Sequence, residues 1–121
     1  MASAGMAGGG VAGGGVAGGE TASLGSEPAS DAPARLTAWI AGRVQGVGFR
    51  WWVRARALEL GLAGSVENLE DGRVKVVAEG PVGRCRELLA LLAGPGTPGH
   101  VTRVTQRWDD PHGGLAGFAE R

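Results

Sequence analysis

The sequence has little cysteine and no long apolar run. It contains one cysteine, Cys85, among 121 residues. A single cysteine cannot form an intrachain disulfide or supply a cysteine-based zinc cage. No stretch is long and apolar enough to span a bilayer, and the first residues lack the basic start and apolar core of a signal peptide. These absences predict a cytoplasmic protein with no membrane contact.

Positive charge is absent from the first 34 residues, which contain no Lys or Arg and almost no large apolar side chains. They are mostly Gly, Ala, Ser and Thr, with AGGGVAGGGVAGGE at the centre. Such a composition cannot bury enough apolar surface to offset the entropy lost on ordering. Residues 1–34 are therefore predicted to be a disordered tail, and residues 35–121 to form one folded domain.

The predicted domain carries little net charge. Three of the twelve acidic residues (Glu20, Glu27, Asp31) lie in the tail, which leaves nine against twelve basic residues, a net charge of +3. A surface that binds duplex nucleic acid is usually more basic and more clustered. This charge is compatible with a small anionic ligand and predicts no nucleic-acid partner.

Apolar periodicity divides the domain into six elements and a short final strand. Strands are predicted over 35–44, 62–69, 73–80, 101–110 and within 115–121, and helices over 49–61 and 81–94. Gly61 is placed at the C-terminal cap of the first helix and Pro81 at the first position of the second. The order predicts an α+β, ferredoxin-like βαββαβ sandwich, with an antiparallel sheet and both helices on one face. That fold hosts many unrelated functions, so it identifies none.

The segment GRVQGVGFR, residues 42–50, joins the first strand to the first helix. Its three glycines permit positive φ and let main-chain N–H groups converge without a Cβ in the way. The helix start adds unpaired N–H groups, and Arg50 adds a planar cation able to grip two oxygens of one phosphate. The pattern predicts a phosphate site. The residues alone leave a second interpretation open, in which the glycines only permit a tight connection and Arg50 is solvated.

The run GRVQGVGFRWWVRARALELGLAGSVENLEDGRVKVVAEGP closely resembles the acylphosphatase family. That family has a G-x-V-Q-G-V-x-F-R opening, then A-x-x-L-G-L, G-x-V-x-N and a D-G turn, all of which occur here in register. The resemblance covers essentially the whole predicted domain and not the tail. It implies a hydrolase, an acylphosphatase, which converts small-molecule acyl phosphates into a carboxylate and inorganic phosphate.

The resemblance also implies the site residues. Arg50 is expected to bind the substrate phosphate and Asn68 to hold the attacking water, so these two are the predicted catalytic residues. The predicted phosphate-binding residues are Arg43, Val44, Gln45, Gly46, Val47, Gly48, Phe49 and Arg50. The sequence departs from the family pattern at Ser65, where a bulky aromatic is common, and at Leu69, where a hydroxyl residue is frequent.

An acyl phosphate needs little help to react. Its leaving group is a carboxylate whose conjugate acid has a pKa of roughly 4, so it departs without a proton and needs no general acid. What remains for the enzyme is positioning and charge stabilisation. The expected reaction is therefore a metal-free, in-line attack of water, with no cofactor.

Other interpretations remain open. Asn68 precedes an Asp-Gly hairpin, where asparagine often bonds its own backbone. The domain could instead be a non-catalytic ferredoxin-like module that binds an anion or RNA, although RNA-binding sheets usually expose aromatics, whereas Trp39, Trp51 and Trp52 are predicted to cover the core or the sheet. A third possibility is the acylphosphatase-like domain of larger hydrogenase-maturation proteins that act on carbamoyl phosphate, against which the single domain argues. We expect a monomer.

Overall fold

The computed structural model describes residues 32–121. Its elements are β1 Pro33–Arg43, α1 Phe49–Glu59, β2 Ala63–Asn68, β3 Val74–Pro81, α2 Val82–Ala93, β4 His100–Asp109 and β5 Phe118–Glu120. β1 begins two residues before the predicted domain boundary, and residues 1–31 of the predicted tail lie outside the described residues. The predicted order of elements is confirmed.

One five-stranded sheet, in the order β4-β1-β3-β2-β5, carries the fold. The first four strands pair antiparallel, as predicted, but β5 pairs parallel with β2 and makes the sheet mixed. This parallel pairing follows from the position at which β4 ends. Asp109 lies in register with Arg35, Arg35 with Glu79, and Glu79 with Ala63 at the start of β2. A chain that crosses the sheet at this end reaches β2 at its first residues, so it continues alongside β2 in the same direction.

Both helices cover one face of the sheet. The alternate strand residues on that face are fully buried, and they form one core with the apolar faces of both helices. Its members include Leu36, Ala38 and Ile40 of β1, Val74, Val76 and Ala78 of β3, Phe49, Val53 and Ala57 of α1, and Cys85, Leu88 and Leu92 of α2. The predicted ferredoxin-like class is therefore confirmed. Neither helix within residues 32–121 is long and apolar enough to cross a bilayer.

Glycine ends α1 at the predicted position. Gly61 has a φ of 74°, and the N–H groups of Gly61 and Leu62 donate to the carbonyls of Leu58 and Ala57, both at 3.0 Å. This Schellman cap turns the chain directly into β2. Pro81 differs from the prediction, because it is the last residue of β3 and the N-cap of α2, with an extended ψ of 135°.

The tryptophans do not all cover the core or the sheet. Trp52 packs against the core, but Trp51 is 64% exposed, which contradicts the prediction for that residue. It lies two residues after Phe49, about 200° around the helix from that buried side chain. Trp39 lies on the open face of the sheet, where the guanidinium carbon of Arg107 is 5.7 Å from its ring centre. RNA-binding sheets of this fold stack two or three bases on such aromatics, and the open face formed by residues 32–121 carries one.

The buried carboxylate of Glu79 forms hydrogen bonds with the segment that joins β4 to β5. Glu79, 8% exposed, accepts Arg35 Nη1 at 2.7 Å and the amides of His112 and Gly113 at 2.8 and 3.1 Å. Burial alone would raise the pKa of Glu79, but the His112 amide, the Arg35 guanidinium and the Gly113 amide outweigh it and lower the pKa from its ordinary 4.5. The ionised carboxylate therefore stabilises the folded state.

We expect Glu79→Gln to lower the free energy of unfolding by about 1–3 kcal/mol near neutral pH. Because the folded pKa of Glu79 lies below its unfolded value, this contribution is complete above pH 4.5 and is lost as the pH falls through the folded pKa. Urea unfolding at about pH 7 and about pH 3 checks this, since the difference between wild type and variant should shrink in acid.

Glu87→Gln is the matched control. Glu87 forms an exposed ion pair with Arg84 at 3.1 Å on α2, so its replacement should change stability by less than about 0.5 kcal/mol at either pH. Equal losses in the Glu79 and Glu87 variants would contradict the role given to the buried carboxylate.

Candidate active site

The predicted site residues gather at one end of the sheet. β1 and β2 both run antiparallel to β3, which lies between them, so their C-terminal ends point the same way. Arg43 ends β1 and Asn68 ends β2. Since neighbouring strands are about 4.8 Å apart, the loop after β1 and the hairpin after β2 are neighbours across a single strand.

The loop over residues 44–48 depends on two glycines with left-handed backbone. Gly46 and Gly48 have φ of 77° and 81°, and a Cβ built on either would meet no atom within 4 Å. The backbone conformation, and not packing, therefore requires glycine at both positions. Gly48 is the N-cap of α1, and its carbonyl accepts the amide of Trp52 at 3.0 Å. The N–H groups of residues 49–51, between Gly48 and Trp52, have no acceptor within the helix and can face a ligand.

The start of β4 supports the loop from the outside. Gly99 has a φ of 72°, and a Cβ there would lie 2.0 Å from the carbonyl oxygen of Arg43 and 2.9 Å from Cγ2 of Val47. Only glycine permits this close approach. Gly99 therefore lies directly against the main chain of Arg43 and the exposed Val47 side chain.

Three predicted phosphate-binding residues turn their side chains away from the loop. Val44 and Phe49 are each 1% exposed, within the core. The carboxamide of Gln45 reaches the hairpin, where Nε2 donates to the carbonyl oxygens of Leu69 at 2.8 Å and Arg73 at 3.1 Å. These three residues can therefore offer a ligand only their main-chain N–H groups.

Arg50 is held beside β2. Its Nη1 donates to the main-chain oxygen of Arg121, and the N–H of Arg121 donates to the carbonyl of Val66 at 2.8 Å. Val66 is two residues before Asn68, about 7 Å along the strand. The guanidinium has five N–H donors, so this one bond fixes its position and leaves other donors for a ligand.

Asn68 lies on the same side of the sheet as the helices. Its cross-strand partner Val74 is fully buried in the core, as is Val66, two residues earlier on the same face. Asn68 itself is exposed at the end of β2. The structure therefore brings Arg50 and Asn68 to the same side and the same end of the sheet.

The asparagine does not form the turn that follows it. Its carboxamide makes no hydrogen bond within residues 32–121. The turn is closed by the N–H of Leu69 on the carbonyl of Arg73 at 2.8 Å, and by Asp71, whose Oδ1 accepts the N–H of Arg73 at 3.0 Å. The turn-forming interpretation of Asn68 is thus not supported.

The two departures from the family pattern, Ser65 and Leu69, stand in different relations to the predicted site. Ser65 precedes the buried Val66, so its side chain is on the open face of the sheet, opposite to Asn68. Leu69 contributes its carbonyl oxygen to the Gln45 contact, which any residue could supply.

Two contributors to the site were not predicted from the sequence. Arg121 supplies the oxygen that holds Arg50, and Gly99 admits the loop. Neither has a local signal, because one is an ordinary terminal arginine and the other is one of several glycines in a loop. Only their contacts with distant parts of the chain give them a role.

The thiol of Cys85 is unreactive. Burial, together with the nearby charge of Glu79, raises the pKa of the Cys85 thiol to about 11, so it is protonated near neutral pH. Within residues 32–121, no three His, Cys, Asp or Glu side chains are grouped closely enough to hold a metal ion.

Several acylphosphatases are similar to this chain in sequence or in fold. The sequence profile of the family described as Acylphosphatase matches residues 36–119. An acylphosphatase of Saccharopolyspora erythraea is 66% identical over 88 residues, which cover 73% of this chain and 93% of that protein. An acylphosphatase of Acidothermus cellulolyticus is 64% identical over 89 residues, covering 71% and 85%. The crystal structure of acylphosphatase from Bacillus subtilis superposes with a TM-score of 0.67 at 32% identity, covering 73% of this chain and 98% of that one. The predicted fold and enzyme class are therefore confirmed, and this chain belongs to the acylphosphatase family.

Proposed function

We propose that this chain hydrolyses acyl phosphates by in-line attack of water without a metal ion. The main-chain amides of residues 43–49 and the guanidinium of Arg50 hold the phosphate, and the carboxamide of Asn68 orients the water. The observation that carries the proposal is the meeting of three features at one end of the sheet. These are a loop with two left-handed glycines at a helix start, an arginine tethered beside β2, and an exposed asparagine with no hydrogen bond to residues 32–121.

The phosphate is held mainly by charge and main-chain dipoles. The first N–H groups of α1 and the positive end of its dipole favour an anion, and Arg50 lies in the same first turn. A guanidinium already fixed at Nη1 loses little further freedom when its remaining donors bind phosphate oxygens. These donors stabilise the charge on the three equatorial oxygens during transfer.

The water approaches from the hairpin. Asn68 lies across β3 from the loop, so a water on its carboxamide faces the phosphorus from that side, and the acyl group leaves on the opposite side. The departing carboxylate takes no proton, because its conjugate acid has a pKa of roughly 4. The proton released by the water passes to a phosphate oxygen of the substrate, so neither Arg50 nor Asn68 acts as an acid or a base.

We also propose that the protein acts as a cytoplasmic monomer and binds no nucleic acid. A lone, buried thiol is compatible with a reducing compartment, and the net charge of +3 over residues 35–121 is small for a nucleic-acid-binding domain. Analytical ultracentrifugation of the purified chain tests the monomer directly.

Phosphate release from benzoyl phosphate and from an aliphatic acyl phosphate, each with and without EDTA, tests the proposed function. We expect release well above spontaneous hydrolysis and unchanged by EDTA, because no step uses a metal ion. A rate that collapses in EDTA and returns with added divalent cation would contradict the metal-free mechanism. Binding of phosphate without hydrolysis would instead favour the anion-binding module.

A further inference from the structure

Gln45 lies in the loop between β1 and α1, but its side chain binds the hairpin between β2 and β3. Its Nε2 donates to the carbonyl oxygens of Leu69 at 2.8 Å and Arg73 at 3.1 Å. These carbonyls stand at the two ends of one turn, since the N–H of Leu69 donates to Arg73 and the N–H of Gly72 donates to Leu69. One amide group therefore grips both ends of the turn that begins directly after Asn68.

This bridge is the direct polar link between the two halves of the site. In the part of the chain that the structure describes, no other hydrogen bond joins residues 44–48 to residues 68–73. Core packing of Val44 anchors the start of the loop, and the β-ladder pairs Asn68 with Val74. Through one hydrogen bond, the Gln45 side chain therefore joins the loop to Leu69, the residue directly after Asn68.

We propose that Gln45 is a positioning residue, whose side chain sets the placement of Asn68 relative to the phosphate-binding loop. The inference rests on the proposed roles of that loop and of Asn68. Both Nε2 hydrogens are used by the hairpin carbonyls, so the side chain does not bind substrate through them. In-line attack depends on alignment, and a misplacement of about 1 Å can cost about 10²-fold in rate. The tip of the hairpin, residues 70–72, is exposed, so the bridge is what restrains it on the loop side.

Gln45→Met tests the inference, because methionine keeps the length of the side chain and removes both donors. We expect kcat for benzoyl phosphate to fall about 10–100-fold, while the inhibition constant of inorganic phosphate changes by less than about threefold. Gln106→Met is the matched control, since Gln106 is the other glutamine of the chain and is exposed on β4. It should retain wild-type kcat. Thermal unfolding of both variants reports whether they fold.

A double-mutant cycle separates positioning from a general effect on structure. If Gln45 acts through Asn68, then Gln45→Met should lower kcat less than about twofold when Asn68 is already alanine. A role in the structure alone would lower kcat by the same factor in both backgrounds. Should the methionine variant fail to fold, Gln45→Leu, which also lacks the donors and adds no charge beside the phosphate, takes its place in the cycle.

The outcomes distinguish this inference from the proposed function. Unchanged kcat in Asn68→Ala would overturn the proposed role of the asparagine and, with it, the inference. A large loss in Asn68→Ala together with wild-type kcat in the Gln45 variants would overturn the inference alone. Additive losses in the cycle, or a weakened phosphate affinity that accounts for the whole effect of Gln45→Met, would also overturn it.

Discussion

Asn68→Ala is expected to lower kcat for acyl phosphates by about 10²–10³-fold, with little change in the affinity for inorganic phosphate. The proposed role of the carboxamide is to hold the attacking water, so its removal affects the reacting geometry and not the grip on the phosphate. Asn68 is exposed and makes no hydrogen bond within residues 32–121, so stability should change by less than about 0.5 kcal/mol. Steady-state kinetics with benzoyl phosphate, phosphate inhibition and urea unfolding measure the three quantities.

Gln106→Ala is the control for the loss of an exposed carboxamide elsewhere on the sheet. It removes an acceptor for Trp108 Nε1 on β4, far along the sheet from β2, and should keep wild-type kcat. Asn68→Asp adds a second test, because it keeps an acceptor for water but places a negative charge beside the phosphate, and kcat/KM should fall. Wild-type kcat in Asn68→Ala would remove this residue from the mechanism.

Arg50→Lys is expected to lower kcat/KM by about 10³-fold, within the range found for arginines that stabilise phosphoryl transfer. Lysine keeps the positive charge but loses the planar fork. In the structure one nitrogen of Arg50 is already bound to the main-chain oxygen of Arg121, so the remaining nitrogens are the ones proposed to face the phosphate. A single ammonium group cannot serve both partners with the same geometry. Steady-state kinetics and inhibition by inorganic phosphate check the prediction. Both kcat/KM and the affinity for phosphate should fall.

Arg84→Lys is the matched control for that variant. Arg84 lies in the first turn of the other helix, is exposed, and pairs only at the surface with Glu87 at 3.1 Å. Its replacement should leave kcat/KM unchanged and alter stability by less than about 0.5 kcal/mol. If Arg50→Lys behaved like Arg84→Lys, the phosphate clamp would be wrong.

Local patterns in the sequence predicted most of the fold. The alternation of Val74, Val76 and Ala78 and the four-residue spacing of Phe49, Val53 and Ala57 both mark faces that are fully or almost fully buried. Burial of apolar side chains is the main driving force of folding, so these periods show which face of each element turns inward. Gly61 in its left-handed cap was predicted for a similarly local reason, since few other residues adopt that conformation.

Errors occurred where position depends on the surroundings of a residue. Trp51 is a large apolar side chain, yet it is exposed because it falls on the outer side of α1. The final strand was predicted, but its parallel pairing with β2 was not, because strand direction follows from where β4 ends. The sequence of a short strand does not specify which strand it will pair with or in which direction.

For the candidate site, the sequence by itself determined which chemical groups are present. It supplied the left-handed glycines, the arginine at the helix start and the asparagine before the turn, because backbone freedom, charge and hydrogen-bonding groups belong to individual residues. The tertiary structure alone decided how these parts meet. Arg50 is held by Arg121, 71 residues away in the chain, Gln45 reaches a turn 24 residues away, and Gly99 admits the loop after β1. These contacts exist only once the sheet has formed, because strand pairing brings together groups that are remote in the chain and leave no local pattern.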